Sequence, residues 1–104
     1  MSETSLTEHD IRLKRLRFRA WHRGIREMDL ILGRYADAHL NGLSEAELDA
    51  FERLLEVPDI TLYNWITGME EVPPGEASSV FHAVRNHGRR LKDSAGDDEG
   101  AKRG

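Results

Sequence analysis

The side chains able to do chemistry are five histidines and a surplus of carboxylates, and their spacing organises neither into a reaction centre. His9, His22, His39, His82 and His87 never fall four apart, and a zinc site wants three or four converging ligands. Cysteine is absent, which removes thiol nucleophiles, thiolate metal sites and disulfides. Glu45, Glu47, Asp49, Glu52 and Glu56, with Glu70 and Glu71, could imitate paired carboxylates. On an amphipathic helix they read more simply as a solvated face. Neither glycine-rich phosphate loop, Gly-x-x-x-x-Gly-Lys-Ser/Thr or Gly-x-Gly-x-x-Gly, occurs. The sequence assigns no catalytic residue, no metal and no bound cofactor.

One stretch concentrates the groups that recognise other molecules: Trp21-His22-Arg23-Gly24-Ile25-Arg26-Glu27-Met28-Asp29. Tryptophan and arginine are enriched where proteins bind one another. Gly24 falls where one helix ends and the next begins, a place for positive φ and for close approach of another backbone. As a helix N-cap it would make Glu27 the third helical residue, free to fold back onto the Gly24 N–H. Arg23 and Glu27, four apart, are also within reach of each other. The plain reading of these features is a capped corner. The recognition reading makes Arg23, Gly24 and Glu27 an exposed working surface.

The elements that position this corner are helical. Apolar positions from Ile25 to Leu40 follow the 3.6-residue period, and Gly42 stops that helix. Ser44 and Glu47 form a capping box with Leu43 and Leu48 as its hydrophobic staple, so a helix spans 44–56. Pro58 restarts the chain into 59–67, closed by Gly68, and after Val72-Pro73-Pro74-Gly75 a last helix runs over 76–92. The first segment, 9–22, partly alternates as a strand would, but nothing could pair with it, so it too reads as helix. The expected fold is all-α, a single bundle of about five helices with short connections over 8–92. Its core is expected to hold Met28, Leu32, Tyr35, Leu48, Phe51, Leu55, Leu62, Trp65, Ile66, Val80, Phe81 and Val84. Residues 1–7 and 93–104 are too polar to bury and read as disordered tails.

In a chain of 104 residues with net charge −4, charge is unevenly placed. Residues 8–27 carry seven basic side chains against three acidic, and residues 28–76 carry two against eleven. Such a dipolar domain can offer a basic face to an acidic partner. The basic first helix with Phe18 and Trp21 invites nucleic acid, but the acidic remainder would repel phosphate, so none is expected as a partner. No apolar run approaches the roughly 18 to 20 residues that cross a bilayer, so no membrane insertion is expected. The polar, acidic start resembles neither a secretory signal nor an arginine-rich transit peptide, and the expected location is a bacterial cytoplasm.

At the corner the sequence resembles a known family. Arg23-Gly24-x-x-Glu27 is similar to the Arg-Gly-x-x-Glu motif of the FAD assembly factors of succinate dehydrogenase, found in bacteria and mitochondria. Phe51-Glu52-Arg53-Leu54-Leu55-Glu56-Val57-Pro58-Asp59 and Leu62-Tyr63-x-Trp65-Ile66-Thr67-Gly68 resemble the second signature of that family, and the likeness covers about residues 10–70. It implies a five-helix bundle that is not an enzyme but an assembly chaperone. The implied partner is the flavoprotein subunit of succinate dehydrogenase, and in some bacteria that of fumarate reductase. The implied activity is to help a flavoprotein histidine bond to the flavin 8α-methyl carbon, the FAD remaining the client's. Arg23, Gly24 and Glu27 would lie at the contact, with Arg26, Asp29, His22 and Trp21 as neighbours. Two alternatives stay open: a generic helical interaction module, antitoxin-like or ribosome-associated, and a weak nucleic-acid binder through the first helix.

Overall fold

The computed structural model describes residues 7–89, which form five α-helices and, among the described residues, no strand. They are α1 (Glu8–Trp21), α2 (Arg26–His39), α3 (Glu45–Leu55), α4 (Asp59–Thr67) and α5 (residues 79–89). Short 3-10 turns, Leu40–Gly42 and Pro74–Glu76, follow α2 and precede α5. No helix among the described residues is long and apolar enough to cross a membrane.

Each helix starts where its chemistry permits. Thr7 opens α1 by accepting from the Asp10 N–H while Asp10 accepts from the Thr7 N–H, a reciprocal cap that the reading of 1–7 as a tail overlooked. The remaining expected tail residues, 1–6 and 93–104, lie outside the described residues. Ser44 and Glu47 form the expected capping box on α3, at 3.1 and 2.8 Å. Gly68 ends α4 at φ 86°, letting the Glu70 N–H reach back to the Asn64 carbonyl at 3.1 Å. Gly42, expected to stop α2 directly, closes the 3-10 turn that continues it.

The last helix starts three residues later than 76. Pro73 and Pro74 wind Pro74–Glu76 into a tight turn, whose N–H donors bond back to the Pro73 and Pro74 carbonyls. The side chain of Ser78 then caps the new helix by accepting from the Phe81 N–H at 3.0 Å. The expected end of this helix, residues 90–92, lies outside the described residues.

All twelve expected core residues are buried, among them Met28, Leu32, Leu48, Phe51, Leu62 and Phe81 with no exposed area. Leu13, Leu16 and Ala20 of α1 join them, with Ala36, Leu40 and Leu54. The ambiguity of the first segment is thereby resolved. A single face of α1 faces the core, and Ile11 and Phe18, which suggested alternation, point to solvent. Near the centre, Tyr35 stacks on Phe51 at 5.7 Å.

Burial pushes the Tyr35 phenol above its ordinary pKa of 10.0, and the charge of Glu47 adds to the shift. A group with a raised folded pKa contributes its full stability below the unfolded value and loses it as pH climbs through the folded one. The contribution of Tyr35 is therefore intact at neutral pH and disappears above about pH 10. Urea unfolding across the alkaline range should show a steeper loss of stability in the wild type than in Tyr35→Phe. Parallel losses in the two proteins would contradict this assignment.

Candidate functional site

The corner between α1 and α2 is built around one inward-turning side chain. The Arg23 guanidinium donates from Nε to the Asp59 carboxylate at 2.7 Å, from one terminal nitrogen to the Leu55 carbonyl, and from the other to the Val57 carbonyl at 2.6 Å. Leu55 is the last residue of α3 and Asp59 the first of α4, so a single planar fork ends one helix and meets the start of the next. The Arg23 backbone N–H is also taken, by the Asp29 carboxylate in the first turns of α2. Arg23 thus ties the α1–α2 corner onto the α3–α4 corner. Only 10% of its side chain is exposed, and 16% of that of Asp59.

This overturns one expectation: Arg23 does not reach solvent and does not pair with Glu27. A guanidinium that finds two helix-end carbonyls and a carboxylate in register satisfies its donors better there than with one mobile surface carboxylate. A second expectation shifts by one residue. The N-cap of α2 is Ile25, without a side-chain cap, so Glu27 is the second residue of the helix and does not close onto Gly24. Gly24 does take positive φ, 108°, and is exposed. A Cβ placed there would lie 3.8 Å from the Asp59 carboxylate, so its chief constraint is conformational.

The other candidates divide between the fold and the surface. Asp29 is half-buried and serves the corner. Trp21 is half-buried, its Nε1 donating to Asp37 at 3.3 Å. Its ring lies so close over Gly33 that a Cβ there would stand 2.3 Å from it. Gly33 is hence the residue that lets Trp21 fold down, and nothing in its sequence context announced this. His22 is exposed, stacked on Phe18 with ring centroids 4.0 Å apart, and its Nδ1 donates to the Phe18 carbonyl at 2.7 Å. Arg26 and Glu27 are exposed beside Gly24. The structure therefore brings Gly24, Arg26, Glu27 and His22 together on the outside, with Arg23 and Asp29 holding them from within. Asp59 was quoted in the second signature, yet its link to Arg23, 36 residues away, left no local signal.

The acidic run on α3, read as a solvated face, also has partners. Arg12 meets Glu45, Asp49 and Glu52 at 2.7 to 3.0 Å, and Arg19 meets Glu56 at 2.9 Å. Hydrogen bonds donated to Asp49 and Glu52 hold the Arg12 guanidinium above its already high ordinary pKa. Each exposed pair contributes only about 0.2–1 kcal/mol, but the network fixes α1 against α3.

The described residues thus form a small helical domain whose exposed corner is held from within. The chain belongs to the family described as flavinator of succinate dehydrogenase, whose model matches residues 14–88. It is 45% identical over 65 residues to succinate dehydrogenase assembly factor 2, mitochondrial, of Scheffersomyces stipitis, covering 62% of this chain and 44% of that protein. To the protein of the same name from Dictyostelium discoideum it is 35% identical over 74 residues, 71% of this chain and 52% of the relative. To FAD assembly factor SdhE of Acetobacter pasteurianus it is 34% identical over 73 residues, 70% and 67%. The chain spans about half the length of the mitochondrial relatives it matches. No solved structure matches it.

These relatives overturn the expected bacterial cytoplasm, since those of the fungi and of Dictyostelium are named as mitochondrial. The physical reason is that packing, capping and the Arg23 clamp are indifferent to compartment, so a helical core carries no address.

The clamp makes a direct prediction. Arg23→Ala leaves a carboxylate and two helix-end carbonyls unmet and should lower stability by about 3–5 kcal/mol in chemical denaturation. Arg23→Lys, a point charge that cannot serve three acceptors at once, should recover less than half of that. A loss under about 1 kcal/mol for Arg23→Ala is what a surface arginine would give, and it would refute the clamp.

Proposed function

We propose that this chain promotes covalent attachment of FAD to the flavoprotein subunit of succinate dehydrogenase, and that it docks through the outer side of the Gly24 corner. Its membership of the flavinator family supports the client. The observation that carries the docking surface is the division of labour at the corner. Arg23 and Asp29 are consumed by internal bonds, whereas Gly24, Arg26, Glu27 and His22 stand exposed.

The role follows from that rigidity. Gly24 has no side chain, so a partner backbone can approach it closely, while Arg26 and Glu27 offer one charge of each sign beside it. A corner fixed by four hydrogen bonds loses little freedom on binding, so contact energy goes into holding the client's segments in a reactive geometry. The chemistry stays with the flavoprotein and its FAD. The flavoprotein of fumarate reductase is a second client of the same proposal.

Glu27 tests the reading because its carboxylate does nothing visible for the fold. Losing an acidic group from the first turn of a helix costs under about 1 kcal/mol. Glu27→Ala should therefore keep the helical circular dichroism and the thermal midpoint, yet strongly reduce covalent flavin on the client, read by in-gel flavin fluorescence at matched expression. Full flavinylation by this variant would falsify the corner as the working surface.

A further inference from the structure

Helix α1 sorts its cations by direction. Arg12 and Arg19 turn to the acids of α3, and Arg17 turns to Asp37 of α2 at 3.4 Å. Lys14 and Arg15 are exposed and, among the described residues, meet no acid. Beside them stand two large apolar side chains left in solvent, Ile11 at 43% and Phe18 at 63% exposure, and the His22 ring lies flat on Phe18. At 3.6 residues per turn these five positions fall within an arc of about 100° and along about 16 Å of helix, directly opposite the buried face of Leu13, Leu16 and Ala20. The stripe ends at the exposed Gly24 and Arg26.

We infer that this Ile11–Lys14–Arg15–Phe18–His22 stripe extends the docking surface along α1 and binds an acidic, apolar-anchored segment of the flavoprotein client; the inference rests on the function proposed above. Charge complementarity carries the choice of partner. The stripe carries unneutralised cations of the basic segment, Lys14 and Arg15, so it attracts and orients an acidic surface. Phe18, with the His22 ring beneath it, offers a rigid apolar platform of the kind that anchors protein interfaces. A nucleic acid fits less well, because a polyanion tracking α1 would meet the eleven acids of residues 28–76. A bilayer also fits less well, since two apolar side chains are too few to hold a domain on lipid.

The test measures binding of the full chain to the FAD-loaded flavoprotein subunit of succinate dehydrogenase at low and high salt. Arg15→Glu and Phe18→Ala should each weaken binding by at least about tenfold, and Arg15→Glu should also flatten the salt dependence. Arg53→Glu, the same charge change on an exposed position of α3, should stay within about twofold of wild type. Thermal melts check that the variants fold, and Arg15→Gln and Phe18→Ser replace either one that does not. Wild-type affinity in the stripe variants would overturn the stripe and leave the Gly24 corner standing. A wild-type chain that fails to bind the subunit would overturn both. An equal loss in Arg53→Glu would reduce the effect to net charge and overturn the inference. So would tighter binding to oligouridine or to phosphatidylserine vesicles than to the subunit.

Discussion

A guanidinium with five N–H donors is hard to bury and harder to satisfy, and the arrangement around Arg23 meets both requirements with groups that needed partners of their own. The Leu55 and Val57 carbonyls lie where α3 runs out of helix, and such groups have no intrahelical donor. Asp59 brings negative charge to the start of α4, where the helix dipole favours it, and Arg23 balances it. One side chain therefore relieves two helix ends and joins two corners distant in sequence. The positive φ of Gly24 lets the chain turn from α1 to α2 immediately after the clamp. That turn lets Asp29 in the first turns of α2 take the Arg23 N–H while the Arg23 fork reaches the α3–α4 corner.

The same economy governs the charges. A basic helix beside an acidic one is an obvious internal match, and Arg12 and Arg19 make it. On α1, Lys14 and Arg15 remain exposed and, among the described residues, meet no acid. The proposed docking surface is thus a remainder: the part of the corner and of α1 that the fold does not use.

Most of the fold was legible because its determinants are local. The Ser44–Glu47 box, the apolar period through Leu48, Phe51 and Leu55, and the Gly68 stop each act within a turn or two of their own position. The start of α5 was misplaced because Pro73 and Pro74 favour a 3-10 turn over a helix start, and Ser78 is the better cap. At the corner, the sequence concentrates recognition groups in residues 21–29 but does not separate those facing outward from those facing inward. Arg23 reads as a surface group in the sequence because its partners lie 32 to 36 positions away. Trp21 was ranked with the surface because Gly33, the residue that makes room for it, looks like any glycine in a helix.

The most direct test of the clamp is a double-mutant cycle between Arg23 and Asp59, read by chemical denaturation of Arg23→Ala, Asp59→Ala and the double variant. If the guanidinium holds the two corners together, the two substitutions should be strongly non-additive, with a coupling of about 1.5–3 kcal/mol. A coupling near zero, with losses that simply add, would mean that Arg23 and Asp59 act independently and that the corner is held by something else.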